Sequence, residues 1–203
     1  MHAGSVAALE RFFAHHPEWL DGPLVLDSGC GTGDSVAALA EKHPGARVLG
    51  IDKSVHRLSR CGHPIGDAAG RSAWLRCDAP TAWRWLVDQD IRLEAHYLLY
   101  PNPWPKPSQL MRRWHAHPAW PSLLALGGAL EMRCNWRVYA EEFALALRWS
   151  GIDAAGPERL AAPVPMTRFE AKYAASGHSL WRVTAPSVRV ARRAPAVVPG
   201  FGR

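Results

Sequence analysis

Little in this chain suits a secreted, membrane-spanning or metal-built protein. Its four cysteines, Cys30, Cys61, Cys77 and Cys134, fall into no CxxC or other ligand spacing, which argues against a disulfide framework and a zinc site and leaves four reduced thiols. No apolar run approaches the roughly 18 residues of a membrane span. The N-terminus, with His2 and Glu10, lacks the basic-then-apolar order of a secretory signal, so a cytoplasmic location is expected. There is no internal repeat and no block of like charge. His115 and His117 have no Cys or Asp at ligand spacing; they read as a surface pair, and no metal is expected.

What is present suits one domain with a sizeable core. With 203 residues, 48% of them hydrophobic, the chain suits one domain over 1–185, with an N-terminal helix at 5–16 capped by Ser5 and a basic Arg/Pro tail at 186–203. The net charge is +6, but four arginines of the acid-free tail, Arg189, Arg192, Arg193 and Arg203, carry four of those charges and leave +2 for the body. Twenty of the 24 basic residues are arginine; phosphate recognition and an arginine-biased composition both account for that.

From Leu24 the pattern alternates strand and helix. Strands are expected at 24–26, 47–51, 73–77 and 93–99, with helices at 33–42, 54–60 and 81–87 between them. Such βαβ units imply a parallel sheet. A helix broken by Pro118 and Pro121 is expected over 109–126, then a strand at 129–134, a helix at 138–149, a connecting loop at 150–165 and a last strand at 179–184. Trp83, Trp85 and Trp149 read as core.

The first strand ends in Asp27-Ser28-Gly29-Cys30-Gly31-Thr32-Gly33, where the backbone turns tightly and approaches a ligand. A dinucleotide fingerprint needs G-x-G-x-x-G, but position 34 is Asp, which would also repel a pyrophosphate at the helix start. The spacing favours S-adenosylmethionine over NAD. Asp52 ends the second strand, where a carboxylate accepts from ribose hydroxyls, with a helix cap near Ser54 as its structural alternative. Asp78 follows the third strand, placed to accept from an adenine amine or to cap the next helix.

Residues 100–104, Tyr-Pro-Asn-Pro-Trp, follow the apolar run 95–99 and present one amide between prolines and aromatics, a setting for a planar heterocycle. Together with Lys106, Asn135-Trp136 leading to Tyr139-Ala140-Glu141, Thr167-Arg168-Phe169-Glu170 and Gly177-His178, these pieces resemble the tRNA guanine-N7 methyltransferases over about 22–185.

The resemblance implies a Rossmann-like class I methyltransferase: an α/β fold with a mostly parallel seven-stranded sheet, an antiparallel C-terminal edge and helices on both faces. It implies S-adenosylmethionine held by Asp27, Gly29, Gly31, Gly33, Asp52 and Asp78. Asn102 and Asn135 would orient the acceptor for direct in-line transfer, with Trp104, Lys106, Trp136, Thr167 and Glu170 binding it; the carboxylate of Glu170 would read a guanine-like edge or bind the donor's amino group. Where that family usually carries Asp, this chain has Asn at 102 and 135. The acceptor implied is tRNA; a small heterocycle or another nucleobase on the same fold is the alternative, and a catalytically weak RNA-binding relative is the third.

Overall fold

The structure, a computed structural model, describes residues 1–161 and 164–189. Eight strands form one sheet in the order β3-β4-β2-β1-β5-β6-β8-β7. The strands β1 (Leu24–Ser28), β2 (Arg47–Asp52), β4 (Ser72–Arg76), β5 (Ala95–Leu99) and β6 (Ala129–Cys134) run parallel. At the far edge β8 (Trp181–Ala185) pairs antiparallel with β6, and β7 (Ala155–Arg159) antiparallel with β8. The strand beyond the expected seven is β3, the two-residue Ala68–Ala69, antiparallel to β4.

Alternation along the strands builds two cores. Leu24 and Leu26 face one, formed with α1 (Ala3–His15), α4 (Ala79–Asp88), α5 (Trp120–Ala125) and α6 (Arg137–Trp149). Val25 faces the other, beneath α2 (Asp34–Lys42) and α3 (Val55–Leu58). All five β1 residues are therefore buried, as in a sheet covered on both sides. From β1 the chain steps to β2 on one flank and later to β5 on the other, which opens a crevice at the carboxyl ends of these strands.

Several expectations are corrected. His2, not Ser5, caps α1: its ring nitrogen accepts from the Ser5 amide, while Ser5 turns inward and its Oγ accepts from the Asp78 amide at 3.1 Å. The expected helix at 109–126 is two 3-10 turns, Pro107–Arg112 and Trp114–Ala116, followed by α5, because prolines 107, 118 and 121 restart the backbone. The expected loop at 150–165 contains β7; Pro157 hid it, and an edge strand tolerates a residue without an N–H. Trp149 is 81% exposed rather than core. The stripe of α6 that packs is Tyr139, Ala140, Phe143, Ala144 and Leu147, and position 149 falls off it. Val188 is buried and its amide donates to the Gly128 carbonyl at 2.7 Å, so the start of the expected tail packs on the sheet; Arg192, Arg193 and Arg203 lie outside the described residues.

Candidate active site

A cleft of about 450 Å³ opens at the carboxyl ends of β1, β2, β4, β5 and β6. Gly29, Gly31, Asp52, Asp78, Asn102, Trp104 and Asn135 line it; Asp27, Gly33, Lys106, Trp136, Thr167 and Glu170 do not.

One half is the glycine loop with two carboxylates. The Gly29 and Cys30 amides both donate to the Ile51 carbonyl, at 2.8 and 3.0 Å, which ties the loop to the end of β2. Gly29 has φ +91° and faces open space. Asp52 accepts from the Gly31 amide at 3.1 Å, the Ser54 amide at 2.7 Å and Arg57 Nη2 at 2.9 Å, so it braces the loop as well as lining the cleft. Asp78 lines the cleft and also caps α4, accepting from the Thr81 amide at 2.9 Å. The structural alternative is thus realised for Asp78, which caps α4 while lining the cleft, but not for Asp52, since Ser54 itself caps α3 by accepting from the Arg57 amide.

Two of the expected donor residues work from behind. Gly33, at φ +79°, makes room for Trp74: a β-carbon there would lie 2.3 Å from the indole nitrogen. Asp27 is fully buried under the loop, and Ser35 Oγ donates to it. Burial raises its pKa to about 7; the Ser35 hydrogen bond opposes this and the charge of Asp52 adds to it. Ser28, on the cleft floor, accepts from Trp83 Nε1 at 2.9 Å and shares a hydrogen bond with His96 Nε2 at 2.8 Å. Burial holds His96 neutral, its pKa lowered to about 3.

The other half is the segment 100–104. Tyr100 (φ 54°) and Trp104 (φ 46°) both adopt left-handed backbone, uncommon for bulky residues and costly unless the surroundings enforce it. The Tyr100 amide donates to the Arg133 carbonyl at 2.8 Å, and the Trp104 carbonyl accepts from Arg113 Nε and Nη2 at 3.2 and 3.0 Å. Arg113 is itself buried, pairs with Glu142 and stacks its guanidinium 4.7 Å over Trp136. Both ends are clamped and Asn102 is presented between them. Arg112 lies 4.8 Å over the Trp104 ring.

The acceptor-side expectations need the larger correction. Glu170 is completely buried; it pairs with Arg133 Nη1 at 2.8 Å and accepts from the Met166 amide at 3.0 Å. Arg133 continues to Glu131 at 2.6 Å, and Glu131 to Lys42 at 3.3 Å. Thr167 caps α7 (Arg168–Ala175), its Oγ1 accepting from the Glu170 amide at 3.0 Å. Trp136 packs on the core, and Lys106 is exposed outside the cleft.

These residues hold α7, whose Phe169 and Tyr173 complete the wall with rings 6.3 Å apart and 27° from parallel. Their spacing of four in sequence puts them on one helix face, the signal that could have revealed them. His115 is mostly buried, 3.5 Å from Glu142, and His117 lines the cleft, so they are not a surface pair. Among the described residues no cluster of three His, Cys, Asp or Glu could hold a metal.

The chain is similar to known proteins. A family model described as a putative methyltransferase matches residues 21–183. The tRNA (guanine-N(7)-)-methyltransferase of Acinetobacter baylyi is 30% identical, over 86% of this chain and 73% of its own. That of Alcanivorax borkumensis is 31% identical over 79% and 71%. Among solved structures, the 16S rRNA methyltransferase KamB superposes with a TM-score of 0.60 at 16% identity, covering 86% of this chain and 93% of its own. The antibiotic-resistance methyltransferase Kmr gives 0.57 at 18%, covering 88% and 93%. These two likenesses speak for the fold alone. The sheet order, the glycine loop under a strand-end cleft and the matched span agree: this chain belongs to the tRNA (guanine-N7)-methyltransferase family, as a divergent member.

Proposed function

We propose that this S-adenosylmethionine-dependent methyltransferase acts on tRNA in the cytoplasm, at N7 of a guanine. The observation that carries the reading is the single cleft in which a glycine loop with two carboxylates meets a clamped aromatic-amide segment. The donor half fits the cofactor: Gly29 borders open space, and Asp52 and Asp78 set two acceptors for a nucleoside at successive strand ends. When bound, S-adenosylmethionine supplies an electrophilic methyl group.

The acceptor half fits a transfer that moves no proton. Guanine N7 carries an exposed lone pair, which forms the new N–C bond as the C–S bond breaks and its electron pair stays on sulfur. Positive charge passes from sulfonium to purine. No general base is required, and alignment plus electrostatics supply the acceleration. Tyr100, Trp104, Phe169 and Tyr173 line the cleft, and aromatic rings favour a purine becoming cationic.

A small heterocycle is the second reading, favoured by one observation: Arg113 and Arg168 beside the cleft are neutralised by Glu142 and Asp34. Incubation with labelled donor and either bulk tRNA or a heterocycle panel, followed by mass analysis, separates the two. Label at guanine N7 in tRNA is expected; label in a small heterocycle alone would overturn the tRNA reading.

A further inference from the structure

We propose that Asn102 reads the acceptor base through its C6 carbonyl and N1–H and ignores the 2-amino group, so that inosine is methylated as readily as guanosine. This rests on the guanine reading above.

The segment around Asn102 is built for presentation. Its two flanking aromatics sit in left-handed backbone, held by the Arg133 carbonyl at one end and Arg113 at the other. Asn102 itself is exposed to the cleft and makes no side-chain hydrogen bond with another described residue. Strain maintained at both ends of one short segment points to a function for what it displays.

The acids near the cleft are otherwise engaged. Asp52 and Asp78 are the acids among the described lining residues, and both sit on the donor half with amide partners. Glu170, which the sequence offered as a reader of guanine, is sealed in its pair with Arg133. The acceptor half thus carries no acid among its described lining residues; it presents the amides Asn102 and Asn135 beside Arg112 and His117, and of these the amides match both an acceptor and a donor.

An ionised carboxylate only accepts, so on guanine it pairs with N1–H and N2–H₂ and depends on the 2-amino group. An amide accepts through oxygen and donates through nitrogen. Its complement is an adjacent acceptor and donor, the C6 carbonyl and N1–H, closed by two parallel hydrogen bonds. Inosine keeps both groups and lacks only the 2-amino group, which this pairing leaves out.

The test uses the full chain and two tRNAs, with guanosine or with inosine at the position that the labelling experiment identifies. Near-equal kcat/KM is expected. A carboxylate reader left with one hydrogen bond unmade would lose about 10- to 150-fold on inosine, from about 1.5–3 kcal/mol for a hydrogen bond to a charged group. Asn102→Asp should introduce that preference for guanosine. Wild-type discrimination above about tenfold, or an Asn102→Asp variant as indifferent as the wild type, overturns the proposal alone. If neither tRNA accepts a methyl group, the guanine reading falls and takes this proposal with it.

Discussion

Replacing Glu170 distinguishes a carboxylate that binds ligand from one that holds the wall of the site. Its side chain is fully buried, 2.8 Å from Arg133, and accepts from the Met166 amide. Removing one partner of a buried pair costs about 3–5 kcal/mol, because the other charge is left uncompensated. Arg133 keeps Glu131 at 2.6 Å, so Glu170→Ala belongs at the lower end, about 3 kcal/mol. For a chain of this length each kcal/mol lowers the thermal midpoint by about 2–4 °C, which gives a fall of about 6–12 °C. Thermal and urea unfolding measure it, with donor affinity followed by calorimetry. Adding Arg133→Met should not recover the loss, since it removes the 2.6 Å partner of Glu131 and leaves that buried carboxylate with Lys42 at 3.3 Å. An unchanged midpoint together with lost donor affinity would refute the reasoning and return Glu170 to the ligand.

Two further outcomes are expected. Asp52→Ala should weaken donor binding about 10- to 150-fold, the worth of a charged hydrogen bond, and calorimetry that finds donor affinity intact would disprove the ribose assignment. Stability should also depend on the ionisation of Asp27: its pKa is about 7 in the fold and 3.8 as the ordinary value, so the native chain holds an extra proton between those limits and loses stability as pH rises through them. Three units at about 1.36 kcal/mol each amount to about 4 kcal/mol. His96, lowered from 6.5 to about 3, has the opposite slope over the overlapping range and is common to wild type and Asp27→Asn, so the difference between their stability–pH curves isolates Asp27. Parallel curves would show that Asp27 is ionised throughout.

Much of the donor half was legible in the sequence because its determinants are local. A strand, a turn needing positive φ and an acid at the strand end all lie within a few residues, and Gly29, Asp52 and Asp78 face one cleft as their spacing implied. The clamped amide at Asn102 was legible for the same reason: two prolines and two aromatics surround it in sequence. The acceptor half was not. Whether Glu170 reads a base or neutralises an arginine depends on Arg133, 37 positions away and reached only when α7 folds onto β6. Gly33, in the loop that caps α2, leaves room for Trp74 on β4. Trp149 and Trp83 have the same chemistry, but the packed stripe of α6 leaves one in solvent while the other is sealed beneath the sheet.

The sequence by itself determined the α/β alternation, the glycine loop and the presented amide, because backbone conformation and hydrophobic period are properties of neighbouring residues. Only the tertiary structure decided which charged groups face the cleft. A buried carboxylate must find its partner across the fold, and desolvation commits it there rather than to a ligand.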